Sequence, residues 1–314
     1  PALRRILTTD AGMYRILALA QKVASSTCTV LISGETGTGK GLLAHCIHLM
    51  SERRNRRFLA LNCAALPEPL LESELFGHVR GAFTGADAEK MGLLEAANGG
   101  TVFLDEVGKM SLFMQGKLLQ FLDSSEVRPV GANVFKKVDV RMVCATKGSL
   151  RDLVEQGLLL EDLYFRLNDF PIVIPPLRDR RGDIRLLVEN ALRQYTTEMQ
   201  KSVPGFSRQA MQILEAYAWP GNVRELEKCV KRALILADER APITVRHLPD
   251  EVKSPECRAV ETSVAQEGLT LREHITLVER QVVRAAMRRA HGNKSEAARI
   301  LGVSYPSMLQ KIKL

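Results

Sequence analysis

The sequence predicts an α/β domain built on a parallel sheet, then a small helical domain, then a C-terminal all-helical unit. Three observations predict it. Short β-branched apolar runs alternate with helical stretches as far as Pro175; strand signals then give way to 3.6-residue periodicity; and a polar stretch sets a basic C-terminal segment apart.

Taken in order, the apolar runs lie at 29–33, 58–61, 101–104, 140–145 and 172–174. They read as apolar on both faces, which suits parallel strands covered by helices. The run at 42–50 reads as the helix after the first strand. Beyond Pro175-Pro176 helices are expected at 183–200, 207–218 and 222–237, with Ile184, Leu187, Val188, Ala191 and Leu192 on one face of the first. Ser207 is placed to N-cap the second, and Pro220-Gly221 separates it from the third. The expected domains are therefore 1–178 (α/β), 179–249 (helical), a linker at 250–268 rich in charge and poor in periodicity, and a third unit at 269–314.

The chain carries Lys+Arg 44 against Asp+Glu 36, a net +8. Residues 269–314 hold nine basic and three acidic residues and so six of those eight charges, leaving +2 for the first 268. A polyanionic partner is expected to meet the C-terminal unit. No apolar run is long enough to span a membrane, and no leader with a cleavage site stands at the N-terminus, so a cytoplasmic location is expected. The six cysteines contain no CxxC pair and read as reduced thiols. His45, Cys46 and His48 are close in sequence, but on a helix they read as packing and not as metal ligands.

Gly34-Glu35-Thr36-Gly37-Thr38-Gly39-Lys40 fits GxxxxGK between an apolar strand and a helix. Glycines there let backbone N–H groups turn inward onto phosphate oxygens, the lysine reaches the terminal phosphates, and the helix N-terminus adds its dipole. The strand at 101–104 runs into Asp105-Glu106. That pair would place Asp105 beside a nucleotide-bound Mg²⁺ and Glu106 within reach of an attacking water. Together the two elements make ATP the expected ligand.

Near the C-terminus, residues 293–304 read as a helix followed by a turn at Gly302, with Ser304 N-capping a second helix and Pro306 at its first position. Two short helices with Ala297 and Ala298 between them describe a helix-turn-helix. Its second helix would present Tyr305, Ser307, Gln310 and Lys311 to the major groove of duplex DNA, with Lys294, Arg299 and Lys313 on phosphates.

Gly81-Ala82-Phe83-Thr84-Gly85-Ala86 is a loop of small residues around one aromatic, suited to a protein contact and of little use as core. With the 72–78 stretch ahead of it, this hexapeptide resembles the AAA+ domains of bacterial sigma-54-dependent transcriptional activators of the NtrC type. The resemblance extends over almost the whole chain. It implies that the hexapeptide contacts sigma-54 in RNA polymerase, that Asn62 pairs with a catalytic Glu106 as a nucleotide-state switch, and that Arg224, in Trp219-Pro220-Gly221-Asn222-Val223-Arg224, points from a lid to the nucleotide. It also implies that Arg166 reaches the ATP of a neighbouring subunit in a hexameric or heptameric ring. The C-terminal unit resembles a Fis-type DNA-binding domain, whose preceding helix, here 271–290, forms a dimer.

Three positions depart from the family's pattern. Gly41 stands where Glu usually follows the P-loop lysine, Lys147 where Asn ends the fourth strand, and Leu160 where a second arginine precedes Arg166 by six residues. An arginine finger contributes about 10³ to 10⁵ in rate, so these departures leave two readings open. One is an ATP-driven activator; the other is a DNA-binding regulator in which ATP is an allosteric ligand with weak or absent hydrolysis.

Overall fold

A computed structural model describes residues 6–83, 85–253, 283, 286, 287, 290 and 293–307. The chain divides into two compact units, 1–243 and 244–314.

The first unit opens with α1 (Ala11–Ala24), whose N-cap Asp10 accepts from Met13 N. Then come β1 (Val30–Ser33), α2 (Lys40–Met50), β2 (Phe58–Asn62), α3 (Glu68–Phe76), β3 (Gly77–His78), β4 (Lys90–Met91), α4 (Leu93–Ala96) and β5 (Thr101–Asp105). There follow α5 (Leu112–Ser124), β6 (Glu126–Val127), β7 (Lys136–Lys137), β8 (Arg141–Thr146), α6 (Leu150–Glu155), α7 (Glu161–Leu167) and β9 (Phe170–Val173). The main sheet runs β2-β5-β8-β1-β9 with every pair parallel.

All five expected strands are present, and period two in the central ones divides their side chains between two cores. Leu31, Val102, Leu104, Met142 and Cys144 pack with helices α3 to α7, while Val30, Ile32, Phe103, Val143 and Ala145 pack with α1 and α2. Strand β2 departs from the expectation of burial on both faces: as an edge strand it leaves Ala60 and Asn62 exposed. Strand β9 begins two residues earlier than its apolar run because Pro171 sits in the ladder opposite Leu31. Proline is tolerated there because β9 is the other edge.

Arg141 and His48 are buried and His45 is half-buried. Arg141 is 2% exposed and donates through Nη1 and Nη2 to Ala24 O and Val23 O at 2.7 Å, closing the C-terminal end of α1. His48 bonds Thr101 Oγ1 at 2.9 Å, and both His45 and His48 lie against Phe58. The described residues hold no cluster of three His, Cys, Asp or Glu suited to a metal.

Two insertions project from the sheet. The β3/β4 ladder carries residues 79–89, and β6/β7 form a hairpin; Val79 N donates to Val130 O and Val130 N to Gly77 O, joining them.

After a 3₁₀ turn at Leu177–Asp179 come α8 (Gly182–Met199), α9 (Arg208–Ala216) and α10 (Asn222–Leu236). Ser207 caps α9 as expected, accepting from Ala210 N. Ile184, Val188 and Ala191 of α8 are buried, as are Leu226, Val230, Ala233 and Leu234 of α10, and the two helices pack together. Trp219 is fully buried and donates from Nε1 to Leu214 O at 2.9 Å.

In the second unit α11 (Asp250–Lys253) is a single helical turn where the polar composition predicts linker. Helix α12 (Lys294–Ile300) is capped by Asn293 Oδ1, which accepts from Ser295 N and Glu296 N. Gly302 takes φ 63° in the following turn, and Ser304 Oγ accepts from Ser307 N at 3.3 Å to start the next helical turn at 305–307. Ala297 and Ala298 are buried with Val283, Ala286 and Ala290, as close helix packing requires. The rest of the expected linker and most of the expected 271–290 helix lie outside the described residues. Among the described residues no helix is long and apolar enough to cross a membrane.

Candidate functional site

The switch in strand order around β1, flanked by β8 and β9, opens a crevice at the carboxyl ends of the strands, where α/β sheets bind ligands. The P-loop fills its floor. Gly37 takes φ 82°, a left-handed conformation open to glycine, and a Cβ there would collide with Gly221 O. Gly39, at φ 106°, precedes α2, so that the helix starts at Lys40 with its N–H groups facing the crevice.

A cavity of about 510 Å³ lies over this loop, lined by Thr36, Gly37, Thr38, Gly39, Lys40 and Gly41 and by Asn62, Asp105, Glu106 and Arg224. Gly34 and Glu35 form the entry to the loop, with Gly34 N donating to Thr146 O at 3.2 Å. Ile6, Leu7, Ile174, Leu187 and Val223 give the cavity an apolar wall. A lining that combines charged groups with apolar side chains suits a nucleotide, whose phosphates seek the loop and whose base seeks an apolar wall.

Lys40 is 6% exposed and donates from Nζ to Gly34 O at 2.7 Å and Glu35 O at 3.2 Å. Burial lowers its pKa, and the carboxylates of Asp105 and Glu106 partly offset that. Asp105 ends β5, and its Oδ1 accepts from Glu106 N at 3.0 Å. Glu106 takes φ 56°, ψ 42°, an uncommon conformation for a non-glycine residue and the kind of strain found at functional sites. Asn62 is paired in register with Asp105 and lines the same cavity, yet its Oδ1 accepts from Ala64 N at 2.8 Å; the structure gives no side-chain bond from it to Glu106. Cys63, buried beside these carboxylates, has its thiol pushed up to about 12 and so stays protonated.

Several residues that hold the site together carried no motif. Arg178 grips Glu35 with two bonds, 2.6 and 2.9 Å, and this pairing lowers the pKa of Glu35 despite partial burial. Arg180 is buried, donates to Thr38 O at 3.0 Å and pairs with Asp183 at 3.6 Å. Asp183 in turn accepts from Thr8 Oγ1, Thr9 N and Thr9 Oγ1, drawing the N-terminal segment over the cavity. Glu227 also lines the cavity, and burial raises its pKa against the opposing pull of Arg224. The available signal was the charge-dense run at 178–183, placed between two prolines and an amphipathic helix.

The departures have physical settings. Leu160 packs against the core under α5 and α7, with its N–H donating to Gln115 Oε1 at 2.9 Å. Arg166 lies on the outer face of α7, away from the cavity, and pairs with Asp123 at 2.7 Å; their side chains are 60% and 46% exposed. Lys147 leaves the end of β8 exposed and adds positive potential at Glu35 and Lys40. Gly41 has room for a side chain, with a Cβ meeting only Phe103 Cε1 at 3.6 Å.

The hexapeptide forms a tight loop. Gly81 N donates to Ala86 O at 2.9 Å and Ala86 N to Phe83 O at 3.0 Å; Gly81 and Gly85 take φ 78° and 96°. Ala82 abuts Gly131 of the β6/β7 hairpin, and Ala86 is buried. Phe83 stays 40% exposed, edge-on to His78, which Ser73 fixes through a 2.7 Å bond. Thr84 lies outside the described residues.

In the second unit Lys294, Arg299, Ser304 and Tyr305 are exposed and Ser307 is half-buried; Arg299 pairs with Glu296 at 2.7 Å. Gln310, Lys311 and Lys313 lie outside the described residues.

Sequence comparison matches residues 6–173 to the sigma-54 interaction domain, 178–264 to the AAA+ ATPase lid domain and 275–313 to the bacterial regulatory protein, Fis family. The regulatory protein AtoC of Escherichia coli is 42% identical over 310 residues, which cover 98% of this chain and 67% of AtoC. The nitrogen fixation protein AnfA of Azotobacter vinelandii is 43% identical over 95% of this chain and 55% of its own length. Crystal structures of NtrX from Brucella abortus in complex with ATP and with ADP each superimpose with a TM-score of 0.72 at 32% identity, over 98% of this chain and 68% of NtrX. The chain thus spans about two thirds or less of the length of these relatives. With the sigma-54 interaction domain covering more than half of it, the chain belongs to the family of sigma-54-dependent transcription activators, built as an AAA+ P-loop domain, a helical lid and a Fis-type helix-turn-helix.

Proposed function

We propose that the chain binds ATP in the cavity over the P-loop and, as a ring in the cytoplasm, uses ATP binding and hydrolysis to remodel sigma-54 RNA polymerase at promoters it locates through its C-terminal unit. The observation that carries this reading is the convergence of Lys40, Asp105, Glu106 and Arg224 on one cavity. The working division is 1–178 for the ATPase, 179–249 for the lid, 250–268 for a linker and 269–314 for DNA binding.

The carboxylates of Asp105 and Glu106 beside the loop suit a hard, oxygen-seeking cation. Asp105 would hold Mg²⁺, which supplies charge neutralisation between the phosphates when bound with ATP. The chain's own groups do the rest. Backbone N–H groups of the loop and α2 cradle the phosphates, and Lys40 leaves its loop carbonyls for the terminal phosphates. Glu106 accepts a proton from the attacking water, and Asn62, released from Ala64 N, answers the nucleotide state. Arg166, exposed on α7, serves a neighbouring subunit's site. Movement of residues 81–86 then brings Phe83 and Thr84 to sigma-54.

A second reading keeps ATP as an allosteric ligand with little hydrolysis. It rests on Leu160, whose side chain packs inward where a second arginine would reach out. ATPase activity measured against protein concentration separates the two: turnover that climbs with assembly supports the motor, and none at ring-forming concentration supports the sensor. Open-complex formation with sigma-54 polymerase that proceeds equally with ATP and ADP would overturn the motor.

A further inference from the structure

The side chain of Asn222 is fully buried at the junction of lid, hinge and P-loop. Its Oδ1 accepts from Leu177 N at 2.7 Å, at the start of the hinge turn. Its Nδ2 donates to Glu35 Oε2 and to Thr36 O, each at 3.1 Å. The next residue continues the attachment, with Val223 N donating to Gly37 O at 3.0 Å. Glu35 is held from the other side by the two-bond grip of Arg178. One carboxylate on the P-loop is thus shared by the hinge and by the first turn of α10, and Arg224 stands two residues further along that turn.

We infer that Asn222 is a positioning residue: through Glu35 and Arg178 it fixes the first turn of α10 to the P-loop and thereby aims Arg224 into the cavity. The choice of side chain fits the task. The amide donates and accepts at once, as the Leu177 and Glu35 contacts require, and asparagine tolerates the left-handed φ of 53° found there. Arg224, exposed and without such ties of its own, inherits its position from this turn. The inference rests on the reading of the cavity as the ATP site.

The test is a double-mutant cycle in the full chain, read as the Kd of a fluorescent ATP analogue, with thermal unfolding as the folding control. Asn222→Gly removes the amide while keeping a backbone suited to positive φ. It is expected to weaken binding about tenfold, the size of one charge-assisted hydrogen bond. In an Arg224→Ala background the same change is expected to add less than about twofold, because the residue it aims is gone. Glu35→Gln, which keeps the size of the side chain but removes the shared charge and at least one of the bonds accepted from Arg178 and Asn222, should show the same coupling to Arg224 and carries the test alone if Asn222→Gly does not fold. An equal loss in both backgrounds overturns the inference, since Asn222 would then act on stability alone. Loss of binding in Lys40→Ala together with unchanged binding in Asn222→Gly overturns the latch and leaves the ATP site standing; unchanged binding in Lys40→Ala overturns both.

Discussion

Leu160 concentrates the question of turnover into one side chain. It is the N-cap residue of α7, is half-buried against the core, and its backbone N–H is fixed by Gln115. Leu160→Arg keeps that backbone bond and turns a long cation outward, at a stability cost of about 1 to 2 kcal/mol for the lost apolar contact. We expect assembly-dependent ATP hydrolysis to rise about 10³-fold, measured as phosphate release at ring-forming concentration; no gain would remove Leu160 as the cause of any slow turnover. Gly37→Ala tests the opposite kind of constraint. The new Cβ collides with Gly221 O and the φ of 82° is strained for alanine, so the loop and lid are pushed apart at a cost of at least about 1 to 3 kcal/mol. ATP affinity should fall by at least about tenfold. Glu35 brings a pH dependence with it: its pKa is lowered by Arg178, so the pairing contributes fully above the ordinary carboxylate range and is lost as pH falls through the lowered value. Residues of this kind were legible only where a motif held them. Lys40 and Asp105 stood in recognisable spacings and Arg224 entered through the family resemblance, whereas Arg178, Arg180 and Asp183 act through long-range bonds to Glu35, Thr38 and Thr8 that no local pattern encodes.

At the level of elements, the central strands were readable because burial on both faces leaves continuous apolar runs. The edge strands were located too, but less closely: β2 is less buried than its apolar run suggests and exposes Asn62, and β9 starts two residues early through a proline that an edge alone permits. The two-residue ladders β3/β4 and β6/β7 are too short to leave a period, and they were missed although they hold the hexapeptide loop. That support makes the loop separable from the fold. Phe83 lies on the surface, 40% exposed and edge-on to His78, outside the buried core, so Phe83→Ala should change the unfolding free energy by less than about 1 kcal/mol. ATP binding should persist while capture of sigma-54 is lost, as a pull-down with purified sigma-54 in the presence of ATP would read. A variant that loses ATP binding along with sigma-54 would instead make the loop part of the nucleotide site. Trp219 marks the contrary case. It is fully buried with its indole N–H satisfied by Leu214 O, and Trp219→Ala should cost about 3 to 5 kcal/mol and loosen the lid, visible as a lowered unfolding midpoint.

For the whole molecule, charge is unevenly divided. The first 268 residues carry +2 while the last 46 carry +6, so in the proposed function affinity for a polyanion falls to the C-terminal unit, and affinity for the phosphates of ATP to a few cations such as Lys40 and Arg224. If Lys294, Arg299, Lys311 and Lys313 each neutralise a phosphate, log K against log salt should fall with a slope of about −3 to −4 per unit. Arg299 complicates this count, because it is already paired with Glu296 on the same helix, through bonds of 2.7 and 3.1 Å. Reaching a phosphate then requires breaking that pair or sharing the guanidinium, and Glu296 itself repels the backbone. Glu296→Gln keeps the helix and removes both penalties. It should tighten binding to duplex DNA several-fold at low salt and steepen the slope by up to about 1 unit, whereas Lys311→Ala should flatten it by about 1. Fluorescence anisotropy with a labelled duplex at four or five salt concentrations measures both slopes. Equal slopes for the parent and Glu296→Gln would place Arg299 off the DNA and return it to an ordinary ion pair on the surface of α12.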